Sequence, residues 1–150
     1  MGTTIVAVLG TLAGALVAGL MQHVTAVRTA RAERAERRRQ ALAEAVPALL
    51  AALVRHREQQ YLKISARNEG LADTEEARQA RYAARSAVTS AMDSLHMATA
   101  DAPLLAVAQD AVDAAMAVGD VPVADREVAG LRARVAHTAL REAGAALIYA

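Results

Sequence analysis

The hydrophobic and polar positions divide the chain into an uncharged leader followed by segments with helical periodicity. Residues 1–27 contain no charged side chain, and the stretch "IVAVLGTLAGALVAGLM" covers residues 5–21. As a helix rising 1.5 Å per residue, residues 3–25 would span roughly 34 Å, which is enough to cross a hydrocarbon core of about 30 Å. The pattern predicts a transmembrane anchor over residues 1–27.

Two other interpretations of the leader fit less well. A cleaved signal peptide normally starts with a positive segment, but "MGTT" has none, and the arginines that follow would oppose translocation. A buried helix of a soluble protein that is apolar on all sides would need partners all round, and the remaining chain is too small to supply them.

Small residues recur at every fourth position inside the predicted span. One row consists of Gly10, Gly14 and Ala18, and a parallel row consists of Thr11, Ala15 and Gly19. Small residues at this spacing let transmembrane helices approach closely. The rows predict self-association through this face, although a Gly- and Ala-rich span also shows such spacing by chance.

Six arginines follow the leader within twelve positions: Arg28, Arg31, Arg34, Arg37, Arg38 and Arg39. Positive residues beside a span stay on the cytoplasmic side, so the N-terminus is expected outside the inner membrane and the rest of the chain in the cytoplasm. The same arginines are expected to contact anionic lipid, at about 1 kcal/mol per residue near the surface. A nucleic-acid partner is not expected, because Glu33 and Glu36 interrupt the cluster and no aromatic residue is interleaved for base stacking.

The pattern continues as a basic juxtamembrane helix over residues 28–46 and a helical bundle over residues 47–150. The first helix is predicted to reach about Arg67, since no glycine occurs between Gly19 and Gly70. Its apolar stripe is Leu42, Val46, Leu49, Leu53 and Ile64. Pro47 interrupts the stripe and is expected either to form a hinge between the two segments or to start a new helix.

Three further helices are predicted, over about residues 74–99, 102–118 and 122–149. Gly70 fits the left-handed position that ends the first helix, and Asp73 begins a pattern typical of a capping box for the second. The expected core-facing residues are Ala77, Ala84, Val88, Ala91 and Leu95 in the second helix, Leu105, Ala108, Val112 and Ala115 in the third, and Val128, Leu131, Val135 and Ala139 in the fourth. Short connections place neighbouring helices antiparallel, so we expect an all-α fold with a small up-down cytoplasmic bundle after the transmembrane helix.

Composition supports close helix packing and excludes thiol chemistry. The chain has 40 alanines and no Trp, Phe or Cys, and alanine favours helices while burying little area. Charge is unevenly distributed, with a net +5 over residues 28–85 and a net −4 over residues 86–150. The basic part therefore lies next to the membrane leader.

No catalytic, cofactor-binding or metal site emerges, so the chain is expected not to be an enzyme. The histidines, which are expected to be interfacial or solvent-facing, are isolated at His23, His56, His96 and His137. The acidic residues Asp101, Asp110, Asp113, Asp120 and Asp125 lie on a helical pattern unlike a calcium loop. Such an acidic face could dock the arginines of the second helix, Arg78, Arg81 and Arg85, or another subunit.

The order of "IVAVLGTLAGALVAGLMQH", an Arg- and Glu-rich helix and "EAVPALLAAL" resembles the KilB family, small single-span proteins of actinobacteria associated with the spread of conjugative plasmids. The resemblance covers about the first 55 residues. It implies a membrane location and a non-catalytic role in plasmid transfer, and it carries no functional residues onto this chain.

The sequence thus predicts a membrane protein that acts by self-assembly, as a homo-oligomer, or by contact with an unidentified protein partner. The alternative is a holin- or toxin-like protein whose Gly and Ala face forms a membrane lesion, and it predicts that residues 1–45 alone depolarise cells. A third possibility, a metal enzyme using the acidic face, predicts metal-dependent thermal stabilisation.

Overall fold

The computed structural model describes the backbone of residues 2–149 and the side chains of residues 21–149 other than Val24. The described residues form helices and no strand. In chain order they are α1 (Gly2–Asn68), α2 (Glu75–Ala98), α3 (Ala102–Ala117), a 3-10 turn (Val123–Asp125) and α4 (Arg126–Tyr149). The all-α prediction is confirmed, and the main correction to the helix ends is that α4 starts only after the 3-10 turn.

The end of α1 follows the predicted glycine geometry. Gly70 has φ +70°, its N–H donates to the carbonyl of Arg67 at 3.2 Å, and the N–H of Leu71 donates to the carbonyl of Ala66 at 2.9 Å. This pair of hydrogen bonds is the Schellman motif, in which glycine takes the left-handed position without steric strain.

The second and third helices begin at short polar side chains that accept backbone hydrogen bonds. Thr74 Oγ1 accepts from the N–H of Ala77 at 3.1 Å, and Asp101 Oδ1 accepts from the N–H of Leu104 at 2.8 Å. The prediction that Asp73 caps α2 was therefore wrong by one residue. Thr74 can cap the helix because a threonine hydroxyl, like an aspartate carboxylate, accepts a hydrogen bond from a free N–H group of the first turn.

By their internal contacts, residues 1–37 and residues 38–150 form separate compact units. The side chains of all six predicted arginines are exposed, four of them in the first unit and Arg38 and Arg39 at the start of the second. Arg37 pairs with Glu33 at 3.3 Å. The rows of small residues at positions 10–19 lie outside the residues whose side chains are described, so their packing role stays a prediction. Among the residues that were described, no helix is both long and apolar enough to cross a membrane.

Pro47 lies inside α1, with helix on both sides of it. It therefore does not start a new helix. The proposed hinge at this position stays a prediction.

The core of residues 38–150 combines a few large side chains with many alanines. Four of the predicted α1 stripe residues are buried, namely Leu42, Val46, Leu49 and Leu53. The other buried core residues come from all four helices and the end of α3: Ala45, Ala52, Ala84, Val88, Met92, Leu95, Leu104, Ala108, Ala111, Ala114, Ala115, Val118, Ala133, Ala136 and Leu140. Small side chains of this kind allow the helix backbones to lie close together.

Two glycines mark where α4 packs against α1. A Cβ added to Gly144 would lie 2.6 Å from Cγ1 of Val46, and one added to Gly130 would lie 2.7 Å from Oη of Tyr61. Because the higher-numbered glycine meets the lower-numbered α1 residue, the two helices run antiparallel, as an up-down arrangement requires.

The apolar stripe predicted to face the core from α4 was wrong. Val128, Leu131 and Val135 are 70%, 56% and 61% exposed, and Ala139 is also exposed. The buried face instead consists of Gly130, Ala133, Ala136, Leu140 and Gly144. Apart from Leu140, this buried face consists of Gly and Ala, which allows α4 to approach the neighbouring helices closely.

Candidate functional site

A concave pocket lies where the second half of α1 meets the first half of α2 and the end of α3. Its volume is about 350 Å³. The lining is mostly polar and comes from α1, the α1–α2 connection, α2 and the end of α3: His56, Gln60, Lys63, Asp73, Arg78, Arg81, Tyr82, Arg85, Met116 and Asp120. We call this set the basic pocket.

The pocket concentrates positive charge. Four cationic side chains, Lys63, Arg78, Arg81 and Arg85, face two carboxylates, Asp73 and Asp120, so the pocket carries two net positive charges when His56 is neutral. Helical spacing brings the arginines together, since residues three and four apart share a face of α2.

Two of these arginines are held by nearby carboxylates. Nη2 of Arg81 donates to both oxygens of Asp73, at 2.6 and 2.8 Å, and the Arg81 side chain is only 15% exposed. Its hydrogen bond holds the pKa of Asp73 below the usual range. Arg78 donates to Glu75 at 2.6 Å. These contacts hold the two arginine side chains in place near the start of α2. Asp73 thus binds Arg81 and does not cap the helix.

His56 is buried at the edge of this polar group. It is only 2% exposed, so the expectation of an interfacial or solvent-facing histidine was wrong at this position. Its Nδ1 is buried without a hydrogen-bond partner, and its Nε2 lies 3.5 Å from Nε2 of Gln60. Burial lowers the pKa of His56, and the charge of Arg85 lowers it further, while Asp120 opposes them.

The end of α3 reaches the pocket because it comes very close to α1. A Cβ on Gly119 would overlap the end of the Gln60 side chain. Glycine here lets Met116 and Asp120 line the same pocket as α1. Of the five acidic residues noted in the sequence, Asp120 is the one that lines the pocket with the α2 arginines. Asp110 instead pairs with Arg132 of α4 at 3.0 Å.

Two histidines, the buried His56 and the partly buried His137, make the stability of the bundle sensitive to acid. The pKa values of both His56 and His137 are lowered by burial, so the folded protein binds fewer protons than the unfolded chain just below pH 6.5. We therefore expect stability to be fully present above the unfolded pKa of 6.5 and to fall as the pH drops below it, at most by roughly 1.4 kcal/mol per pH unit for each histidine.

Thermal unfolding measured between pH 7.5 and pH 5.5 would check this pH dependence. His56→Gln is expected to reduce the slope of the melting temperature against pH. His56→Gln combined with His137→Gln is expected to flatten that slope. His96→Gln is the control, because His96 is exposed on α2. An unchanged slope in the double variant would contradict the assignment.

The structure does not gather the other predicted residues into a reactive site. The arginines at positions 28–39 are exposed and line no part of the basic pocket. Within the part of the chain that the structure describes, no group of three or more His, Asp or Glu side chains is placed to hold a metal. The basic pocket could not be read from spacing, because it joins residues of α1, α2 and α3.

Comparisons with known proteins match the bundle. A family model described as KilB plasmid transfer protein matches residues 43–148. The chain is also 46% identical over 92 residues to Protein KilB of Streptomyces lividans, and the match covers 60% of each chain. No solved structure matches this chain. The resemblance noted in the first 55 residues named the right family, but the family match lies mainly in the part of the chain that follows them.

Proposed function

This chain belongs to the KilB plasmid transfer protein family, and on that premise we propose that it is a non-enzymatic, single-pass membrane protein that serves plasmid transfer through contacts between protein subunits. The chain matches only 60% of the length of the curated relative. That the chain has the activity of the whole relative is therefore part of the proposal.

The leader and its flank support the membrane part of the proposal. Residues 1–27 are uncharged, and the six arginines from Arg28 to Arg39 are all exposed. Exposed arginines beside an uncharged segment can contact anionic headgroups on the cytoplasmic side. The bundle of residues 38–150 would then stand in the cytoplasm.

The outer face of α4 is the observation that carries the contact part of the proposal. Val128, Leu131 and Val135 follow one another at helical spacing, and each is more than half exposed. Aligned apolar side chains left in water favour covering by another protein surface. We define Val128, Leu131, Val135 and Ala139 as the α4 stripe and propose that a second copy of the membrane-anchored chain covers it.

Photo-crosslinking from a single cysteine tests the proposal directly, because the chain has no cysteine of its own. A benzophenone attached to Leu131→Cys in isolated membranes should give an adduct of twice the chain's mass. Ala106→Cys, exposed on α3, is the matched control and should give little adduct. The chain should also stay in the membrane pellet after washing with carbonate.

The outcomes separate the parts of the proposal. An adduct with a different protein would replace self-assembly by a heterologous contact. Equal adduct yields from positions 131 and 106 would contradict the α4 stripe as a contact surface. Release of the chain into the carbonate supernatant would contradict the membrane anchor.

A further inference from the structure

We propose that the basic pocket binds a phosphate-bearing small molecule, with Lys63 and Arg85 as its charged contacts and the buried His56 beside them. This site is distinct from the α4 stripe and does not depend on whether the chain spans a membrane. The shared chemistry of the ligand is a phosphate group, whether it belongs to a soluble metabolite or to a lipid headgroup.

The charge of the pocket favours an anion. Arg78 is paired with Glu75 and Arg81 with Asp73, which leaves Lys63 and Arg85 against Asp120, a net positive charge, in a concave site of about 350 Å³. An anion bound there relieves the repulsion between the like charges that line the pocket. A phosphate group also offers several oxygens, so it can accept hydrogen bonds from more than one of these side chains.

Two of the cations are left without an anionic partner. Arg78 and Arg81 are paired with Glu75 and Asp73, whereas neither Lys63 nor Arg85 belongs to any ion pair among the described residues. The paired arginines are therefore positioned by the protein, and the unpaired cations remain free to meet a ligand. Asp120 lines the same pocket and would weaken the binding of any anion.

His56 and Gln60 form the α1 side of the pocket. His56 is only 2% exposed, and its Nδ1 is enclosed without a hydrogen-bond partner, which is rare for a buried polar atom. The amide N–H groups of Gln60 can donate to a phosphate oxygen. The imidazole ring of His56 lies beside the ligand and senses its charge.

The shape of the site favours a small molecule over a nucleic acid. Small-molecule sites are concave and enclose their ligand, whereas a duplex is bound along an extended basic surface with many phosphate contacts. Here the uncommitted cations lie within a single pocket.

Isothermal titration of the full chain with inorganic pyrophosphate tests the proposal. We expect saturable binding that Arg85→Gln weakens about tenfold or more, because a charge-assisted hydrogen bond is lost. Lys63→Gln should act in the same direction. The matched control is Arg55→Gln, an exposed arginine of α1 outside the pocket, which should bind like the wild type. Melting curves of the three variants establish that each is folded.

A nuclear magnetic resonance readout locates the ligand. Pyrophosphate should shift the imidazole nitrogen resonances of His56 and leave those of the exposed His96 in place. Absence of saturable binding, equal weakening by Arg85→Gln and Arg55→Gln, or an unshifted His56 would each overturn the proposal.

Two further titrations identify the source of the phosphate. Tighter binding of dihexanoyl phosphatidic acid below its micelle concentration, lost in Arg85→Gln, would support a lipid headgroup. Binding of pyrophosphate alone would support a soluble metabolite. If a short DNA duplex binds through Arg85 and neither small phosphate does, the small-molecule proposal is wrong.

Discussion

Replacing Leu140 with alanine is expected to destabilise the bundle by about 2–5 kcal/mol, whereas the same replacement at Leu131 on the same helix should change stability by less than about 0.5 kcal/mol. Leu140 is fully buried, and Leu131 is 56% exposed. Truncating a buried leucine removes apolar contacts and leaves a cavity, while truncating an exposed one does neither. Both variants keep a strong helix former in α4, so helix propensity contributes little to the difference.

Urea unfolding of the full chain, followed by circular dichroism in one mild detergent, would measure both free energies under the same conditions. Leu131→Ala is the matched control for Leu140→Ala, since the same side chain is shortened and only its burial differs. A substitution such as Ala136→Gly would be a poorer control, because it changes helix propensity as well as packing. Comparable losses in the two variants that do not depend on protein concentration would show that the outer face of α4 is covered within the chain, and would contradict the helix orientation described above.

This pair of residues also shows where sequence reasoning failed. Val128, Leu131 and Val135 are large apolar residues that align at helical spacing on α4 and were therefore assigned to the core. In the structure the opposite face of α4 is buried, and it includes Gly130 and Gly144. Hydrophobicity ranks side chains by transfer free energy, but the distance between helix axes depends on side-chain size. In this alanine-rich bundle, side-chain size decided which face of α4 is buried.

Local signals were more reliable than the choice of face. Gly70 ended α1 as predicted, because its effect depends only on backbone groups a few residues away. The buried residues of α1 and α2 were largely identified, since each of those helices has a single apolar stripe. The start of α2 was misplaced by one residue, because Asp73 and Thr74 are both good caps and the pairing of Asp73 with Arg81 is not visible in spacing.

The basic pocket was only partly visible in the sequence. The apolar stripe of α1 skips the turns between Leu53 and Ile64, and His56 and Gln60 occupy that gap at core-facing positions. Polar residues at core positions are a recognised sign of a functional site. The other contributors, above all Asp120 at the end of α3, come from distant parts of the chain. Asp120 lines the pocket because the end of α3 lies very close to α1 at Gly119. Helical periodicity alone does not predict this contact.

Gly144→Ala is expected to destabilise the protein by about 1–2 kcal/mol, although the same substitution in an exposed helix stabilises by about 1 kcal/mol. A Cβ at this position would meet Cγ1, Cγ2 and Cβ of Val46 at 2.6, 3.1 and 3.4 Å. Val46 is buried, only 3% exposed, and its β-branched side chain has few alternative rotamers in a helix. Because Val46 cannot turn aside, α1 and α4 would have to move apart.

Gly130→Ala is the matched control, and it is expected to be neutral or slightly stabilising. Its added Cβ would meet the hydroxyl end of Tyr61, which is 45% exposed and can swing into solvent. Urea unfolding of both variants measures the difference in sign. Combining Val46→Ala with Gly144→Ala should recover part of the loss, because the smaller residue makes room for the new methyl group, and the double-mutant cycle isolates that coupling. If Gly144→Ala and Gly130→Ala stabilise the protein equally, α1 and α4 are not in close contact at Val46, and the small-residue packing of α4 has to be abandoned.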